Sequence, residues 1–341
     1  MADPRYVRNG RQVRSYDQWL CAKAGLAADA SPAELRRWQL AALSRQAAYA
    51  AEKSSFYRQL YAGYDLNDPL SLPFICERDL REAGWRMSCL PGSDIKRVVS
   101  MYTSGSTGKP KRLFFSEADL ELTMDFFAQG MLYMTGPGQR VMVCMNGRTP
   151  DGLGDLLARA LLRIGTEPLI YNDIADPADA AAFALAHTPH CVIGIPGQVL
   201  AMAELSPALR PRTVLLSADN VPQALRRRVE ELWQTEVFSH WGMRETGLGG
   251  AVECPAHAGQ HIRHADLFLE IVDPESGAPL PAGEKGEVVV STLNREALPL
   301  IRYRTGDYSY LIDEPCPCGS LYPRLGEVEG HKAKILEEEN L

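Results

Sequence analysis

The chain has 341 residues, 45% hydrophobic and 23% charged, an ordinary balance for a globular protein of two domains or of one large domain with a satellite. Its net charge of -7 argues against a broad nucleic-acid-binding surface. It has no run of eighteen apolar residues, and its charged N-terminus has no apolar segment, so neither a membrane-spanning helix nor a secretory signal is expected. The eight cysteines lie singly except near the C-terminus, which suits a reducing cytoplasm better than a disulfide framework.

In chain order, Ser31-Pro32-Ala33-Glu34 predicts a helix start: Ser31 caps, Pro32 suits the first turn and Glu34 completes a capping box. Apolar residues at helical spacing carry that helix through Leu40, Leu43 and Ala47 to Phe56 and Leu60. A loop at Leu72-Pro73-Phe74 and a short helix near 76–82 follow. Residues 98–103 and 113–116 read as strands, and Ser116 caps a helix through Met131. Strands at 141–145, 169–171, 191–195 and 213–217 then alternate with helices at 152–164 and 177–187. That alternation predicts an α/β fold whose mainly parallel sheet is covered by helices. Arg226-Arg227-Arg228, followed by Glu230 and Glu231, reads as a solvated helix face. Beyond 252, residues 267–272 and 287–292 alternate like half-buried strands joined by a Pro/Gly-rich turn. The expected division is a helical segment (1–100), an α/β core (101–251), a β-rich subdomain (252–329, with a break near Gly259) and a tail (330–341).

Four sets of residues carry chemistry. Residues 102–111 read Tyr-Thr-Ser-Gly-Ser-Thr-Gly-Lys-Pro-Lys. Gly105 and Gly108 let the backbone approach a ligand closely, Ser104, Ser106 and Thr107 add small donors, and successive N–H groups form a concavity for anions. The loop suits a triphosphate, yet it is too short for a Walker A motif. The second set is Ser239-His240-Trp241-Gly242-Met243-Arg244-Glu245-Thr246-Gly247, and the third is Tyr303-Arg304-Thr305-Gly306-Asp307. The fourth is Cys254, His261, Cys316 and Cys318, three thiols and an imidazole that suit a closed tetrahedral zinc site of structural type, with His257 as the rival imidazole. His240 is a candidate for lining a substrate pocket, whereas Met131, Met134, Met142 and Met145 read as core.

Taken in order, these motifs resemble those of the adenylate-forming superfamily of acyl-CoA ligases, peptide-synthetase adenylation domains and luciferases. Ser55-Phe56-Tyr57-Arg58, Leu72-Pro73-Phe74 and Arg78-Asp79-Leu80-Arg81-Glu82 resemble the phenylacetate-CoA ligase branch. The likeness spans residues 35–335 and implies the superfamily's large N-terminal domain. It implies that Ser104, Gly105, Ser106, Thr107, Gly108 and Lys109 cradle ATP, with Thr103 and Lys109 catalytic and Lys111 adding charge. The second set matches Y-G-x-T-E. There Glu245 is implied to hold Mg²⁺, Arg244 replaces the motif's Thr, and Thr246 is implied to serve in its place. Trp241 replaces Tyr and, with Gly242, is implied to meet adenine. Ala218 and Asp219 fall where the family has its Gly-Ala-Glu-Pro adenine loop, and Asp307 is implied to accept from the ribose hydroxyls. Some relatives carry a similar zinc pattern, here Glu253-Cys254, His261-Ile262 and Pro315-Cys316-Pro317-Cys318-Gly319.

The implied function is ATP-dependent adenylation of an aryl or short acyl acid to acyl-AMP and pyrophosphate, with transfer to coenzyme A. The acid pocket is expected between 143–151 and 195–198, with Ala218 and Trp241 at its mouth. At 330–336, Gly330-His331-Lys332-Ala333-Lys334-Ile335-Leu336 stands where the family has its hinge, and the chain is expected to lack the small C-terminal domain. Two alternatives stay open: a non-catalytic nucleotide-binding scaffold, and an acyl-protein synthetase completed by a carrier or partner protein. A homodimer is compatible with either, and no nucleic-acid or membrane partner is expected.

Overall fold

The computed structural model describes residues 15–101 and 110–330, with a short backbone hairpin before them formed by β1 (Val7–Arg8) and β2 (Arg11–Gln12). Helices α1 (Tyr16–Ala24), α2 (Pro32–Lys53), α3 (Ser55–Leu60) and α4 (Glu77–Ala83) follow. The hairpin β3 (Arg97–Met101) and β4 (Lys111–Phe115) flanks the phosphate-loop sequence and leads into α5 (Glu117–Met131). Next come β5 (Arg140–Val143), α6 (Leu153–Arg163), β6 (Glu167–Ile170), α7 (Pro177–His187), β7 (Cys191–Gly194), α8 (Pro196–Leu205), β8 (Thr213–Leu216), α9 (Gln223–Trp233) and β9 (Glu236–Trp241). The last strands are β10 (Ala251–Glu253), β11 (Gln260–Ile262), β12 (Leu267–Val272), β13 (Gly286–Thr292), β14 (Tyr303–Ser309), β15 (Leu311–Ile312) and β16 (Arg324–Leu325).

The expected parallel sheet is present: β6-β5-β7-β8-β9 pair in parallel. Side chains alternate between its two faces, as strand geometry demands. Val141, Val143, Cys191, Ile193, Leu215 and Phe238 pack toward α5 and α6. Met142, Val192, Val214, Leu216 and Val237 pack toward α7, α8 and α9. Both faces are buried at β5, β7 and β8, which is why those strands read as continuous apolar runs.

The sheet does not stop near 252. It continues through antiparallel β10, β11, β16 and β15 to nine strands, so Gly259 lies in a turn within one sheet. A separate three-stranded sheet, β12-β13-β14, packs on this extension. Leu267, Leu269, Ile271, Val288 and Val290 meet Trp241, Ala251, Ile262 and Leu325 on one face. On the other, Phe268 joins the main core and lies under Arg36 of α2, the guanidinium 4.1 Å from the ring centre. The strands expected to be half-buried are therefore buried on both sides, because the small sheet is a middle layer.

Two further expectations change. The long helix breaks at Ser54, whose backbone is extended and whose hydroxyl accepts from Tyr57 N–H to start α3. Arg226 leaves the solvated face of α9: it pairs with Glu230 at 3.2 Å and Glu253 at 3.0 Å, and Glu253 in turn accepts from Ser239 N–H of β9. No described helix is long and apolar enough to cross a membrane.

Candidate active site

The second motif begins at the C-terminal end of β9, where open α/β sheets bind ligands. Gly242 follows the strand; a Cβ there would lie 2.7 Å from Gly249 Cα and 3.0 Å from Leu248 O, so only glycine fits this backbone contact. Residues 243–248 then form a tight turn. Leu248 N–H and Thr246 N–H donate to Met243 O, and the buried Thr246 hydroxyl bridges Met243 N–H and O at 3.1 and 2.9 Å. The Thr246 hydroxyl is thus engaged in holding the turn.

Glu245 projects from this turn and is 5% exposed. Lys111 of β4 approaches its Oε1 to 2.5 Å and also reaches Glu77 of α4 at 3.2 Å. Tyr303 of β14 donates to the same Glu245 oxygen at 3.4 Å. The buried Arg295 guanidinium donates to Glu245 O at 2.9 Å and lies over the Phe115 ring. Burial pulls the Arg295 pKa down to about 10, still charged at neutral pH. Glu245 is therefore a nearly buried carboxylate already matched to a cation, the chemistry a divalent ion bridging to phosphates also requires.

Asp307 of β14 comes to the same end of the sheet. Trp241 Nε1–H donates to its carboxylate at 2.8 Å, joining the position expected at adenine to the one expected at ribose. The Trp241 ring packs over Gly250, where a Cβ would approach it to 2.5 Å. Arg304 binds Glu287 across the small sheet. Ala218 and Asp219 are exposed at the end of β8, and Ala218 adopts φ 68, a left-handed conformation unusual for a residue with a Cβ. Thr103, Ser104, Gly105, Ser106, Thr107, Gly108 and Lys109 lie outside the described residues, as does the hinge sequence from His331 onward.

Beneath this end of the sheet lies a half-enclosed cavity of about 40 Å³, walled by Phe126, Phe127, Met131, Met145, Leu157 and His240 among others. Ser217 Oγ and His240 Nε2 meet at 2.5 Å on its wall. Burial holds His240 below its ordinary pKa, so the ring is neutral at pH 7. The expected position is partly corrected. Met145 and His240 line the space, but one wall is α5, of which the sequence singled out only Met131, as core, and neither 195–198 nor Ala218 nor Trp241 is among its lining residues. The missed residues are Phe126, Phe127, Ser217 and Arg295. Phe126 and Phe127 carry only the periodicity of a helix, the same signal that marks core, and Ser217 and Arg295 lie outside helices and strands, where no periodicity marks them.

Farther along the sheet, the four expected metal ligands converge, all their ligand atoms lying within 4.8 Å of one another. Cys254 follows β10, His261 lies in β11, and Cys316 and Cys318 sit in the turn between β15 and β16. Cys254 and Cys316 sulfurs are 3.7 Å apart, and Cys318 Sγ is 3.5 Å from His261 Nε2. Tetrahedral zinc with its usual bond lengths would set these separations at roughly 3.8 and 3.6 Å. The residues fit the ion. Burial alone would lower the His261 pKa, but hydrogen bonds to Cys316 and Cys318 push it up to about 9. His257 is elsewhere, bound to Glu236, Glu253 and Arg226. Asp17 of α1 clasps the cysteine turn, accepting from Ser320 Oγ at 2.6 Å and Leu321 N–H at 3.0 Å.

Residues 94–294 match the family model described as AMP-binding enzyme. Phenylacetate-coenzyme A ligase of Thermus thermophilus is 30% identical over 89% of this chain and 72% of its own length. The enzyme of that name in Escherichia coli is 27% identical over 83% of this chain and 68% of its own. The fold resembles that of a 2-hydroxyisobutyryl-CoA ligase in its postadenylation state, with a TM-score of 0.81, 21% identity and coverage of 98% of this chain and 73% of that one. Motif geometry, family match and these relatives agree: the chain belongs to the AMP-binding enzyme family, the adenylate-forming superfamily, in its phenylacetate-CoA ligase-like branch.

Proposed function

We propose that this chain joins a carboxylic acid to coenzyme A through an acyl-adenylate. The convergence of Trp241, Glu245 and Asp307 on one sheet end, above an apolar cavity, carries the reading. A carboxylate oxygen of the acid forms a bond to the α-phosphorus of ATP, and the bond from that phosphorus to pyrophosphate breaks. The coenzyme A sulfur then bonds to the acyl carbon, AMP leaves, and the thiol proton is released.

Asp307 takes the ribose hydroxyls, and Trp241 holds that carboxylate while presenting its ring toward the base beside Ala218 and Asp219. Ser104, Gly105, Ser106, Thr107, Gly108 and Lys109 cradle the phosphates, with Thr103 and Lys109 at the transferred group. Thr246 fixes the turn that aims Glu245. Glu245 would hold Mg²⁺, which when bound would supply charge neutralisation at the phosphates. Lys111 sits close enough to share that charge, and Arg295 keeps the Glu245 backbone in place. Cys254, His261, Cys316 and Cys318 hold a structural zinc that staples the antiparallel end of the sheet to α1.

Acid-dependent ATP–pyrophosphate exchange, with Glu245→Gln as control, tests the first step, and thioester formation on adding coenzyme A tests the second. Absence of ATP binding by calorimetry with Mg²⁺ present would defeat the proposal. Labelled acid appearing on a protein rather than on coenzyme A would redirect the second step to a protein acceptor.

A further inference from the structure

Resting on the adenylating reading above, we infer that the acid is a short, uncharged aliphatic one, with about three to five carbons, and that aryl and amino acids are rejected. The cavity under Ser217 and His240 has a volume of about 40 Å³. A single water needs about 10–15 Å³ of such space, and a cavity that holds benzene measures about 150 Å³. The space accordingly takes a few heavy atoms beyond the carboxylate and cannot take a six-membered ring without moving a wall.

The walls are backed by packed groups. Phe126 is 3% exposed, and a Cβ on Gly249 would lie 2.5 Å from its ring, so that strand-side backbone already touches it. The buried Arg263 guanidinium sits 5.2 Å from the centre of the same ring and donates to Gly249 O at 3.2 Å. Gly130 of α5 leaves only van der Waals clearance to Val252. Met131, Met134 and Met145 are the adaptable parts of the lining. Unbranched thioether side chains can yield to an extra methylene, which softens the upper limit for a linear chain. A planar ring needs width beside Phe126, whose ring is backed by Gly249 and Arg263.

Polarity sharpens the assignment. Ser217 and His240 hydrogen-bond to each other, and every other wall residue named for the cavity is apolar or glycine. An α-ammonium group would enter with no carboxylate to meet it, a costly burial of unpaired charge. The site therefore reads chain length and rejects charge. It differs in this from what the names of the phenylacetate ligases say of those proteins.

The experiment is exchange with the wild-type chain on propionate, butyrate, valerate, octanoate, benzoate, phenylacetate, alanine and valine. Alongside it, calorimetry compares non-hydrolysable butyryl- and phenylacetyl-sulfamoyl adenosine. Expected is a kcat/KM maximum within three to five carbons, with phenylacetate and benzoate lower by about 100-fold, the scale on which an apolar pocket rejects excess bulk. The butyryl analogue should bind more tightly by a similar factor. Phe127→Ala and, separately, Met131→Ala should move the optimum toward octanoate or the aryl acids. Equal or better exchange with an aryl acid by the wild type, or tighter binding of the phenylacetyl analogue, overturns the size assignment and leaves the adenylating reading standing. If exchange is silent but the butyryl analogue binds more tightly, the size assignment holds and turnover is what fails. If neither analogue binds, both fall.

Discussion

The turn around Glu245 and the cysteine–histidine centre lie along the same nine-stranded sheet, yet they are built on opposite principles. At Glu245 the side chains are held by contacts that a ligand must share or exchange: Lys111 on the carboxylate, Trp241 on Asp307, Ser217 on His240. At Cys254, His261, Cys316 and Cys318 the separations are close to those a tetrahedral zinc would set, and the neighbouring Asp17 clasp ties helix to turn. A site that turns over needs partners of intermediate strength; a site that staples needs a closed set. The difference teaches which residues to test by rate and which by stability.

The largest separation should come from Glu245→Gln. Loss of one charged contact to the reacting phosphates should slow acid-dependent exchange by about 100- to 1,000-fold. The thermal midpoint should move little, because Lys111 keeps Glu77. A midpoint that collapses together with the rate would erase the contrast between the two regions.

Next comes the metal. Protein purified from zinc-replete cells should carry one zinc per chain, and Cys318→Ser should carry none. At a free zinc concentration 100 times the dissociation constant, the ion stabilises the fold by about 2.7 kcal/mol, which chelation should remove in a denaturant titration. Proteolysis near α1 should rise with it, since Asp17 holds the turn that carries the two cysteines. Wild-type chain with no zinc would remove the structural half of the comparison.

A smaller effect is expected from Trp241→Phe, which keeps a ring and deletes the N–H that orients Asp307. Hydrogen bonds to charged groups contribute about 1.5–3 kcal/mol, so the KM for ATP should rise about 10-fold or more while kcat changes less. The preference for ATP over 2′-deoxy-ATP should shrink, a readout that loss of stacking alone would not move.

The smallest effect concerns pH. Burial keeps the folded pKa of His240 below its unfolded value of 6.5. The unfolded chain takes up that proton first, so the stability contribution is complete above pH 6.5 and drains as pH falls toward the folded value. The slope is at most about 1.4 kcal/mol per pH unit for one proton. Urea midpoints from pH 7 to 5 should fall faster for the wild type than for His240→Asn; parallel slopes would show that the ring is not buried neutral.

Much of this was legible from residue order. The caps at Ser31 and Ser116, the helix from Pro177 to His187 and the strand from Leu267 to Val272 follow from local chemistry and periodicity, and they stand where expected. Trp241, Glu245 and Asp307 were legible as candidates, because a motif is a local string. Other features depend on contacts between residues far apart in sequence. Lys111 meets Glu245, and Trp241 meets Asp307 66 positions away, only because the start of β4, the end of β9 and the middle of β14 are brought together. Strand register brings His261 rather than His257 to the cysteines: His261 pairs opposite Val252 in the β10–β11 hairpin, while His257 in the connecting turn faces Glu236 and Glu253. The cavity was hidden for the same reason. Phe126, Phe127 and Met131 carry a helix's ordinary apolar stripe, and only the approach of α5 to β7 and β8 decides that part of this stripe lines a space rather than filling one.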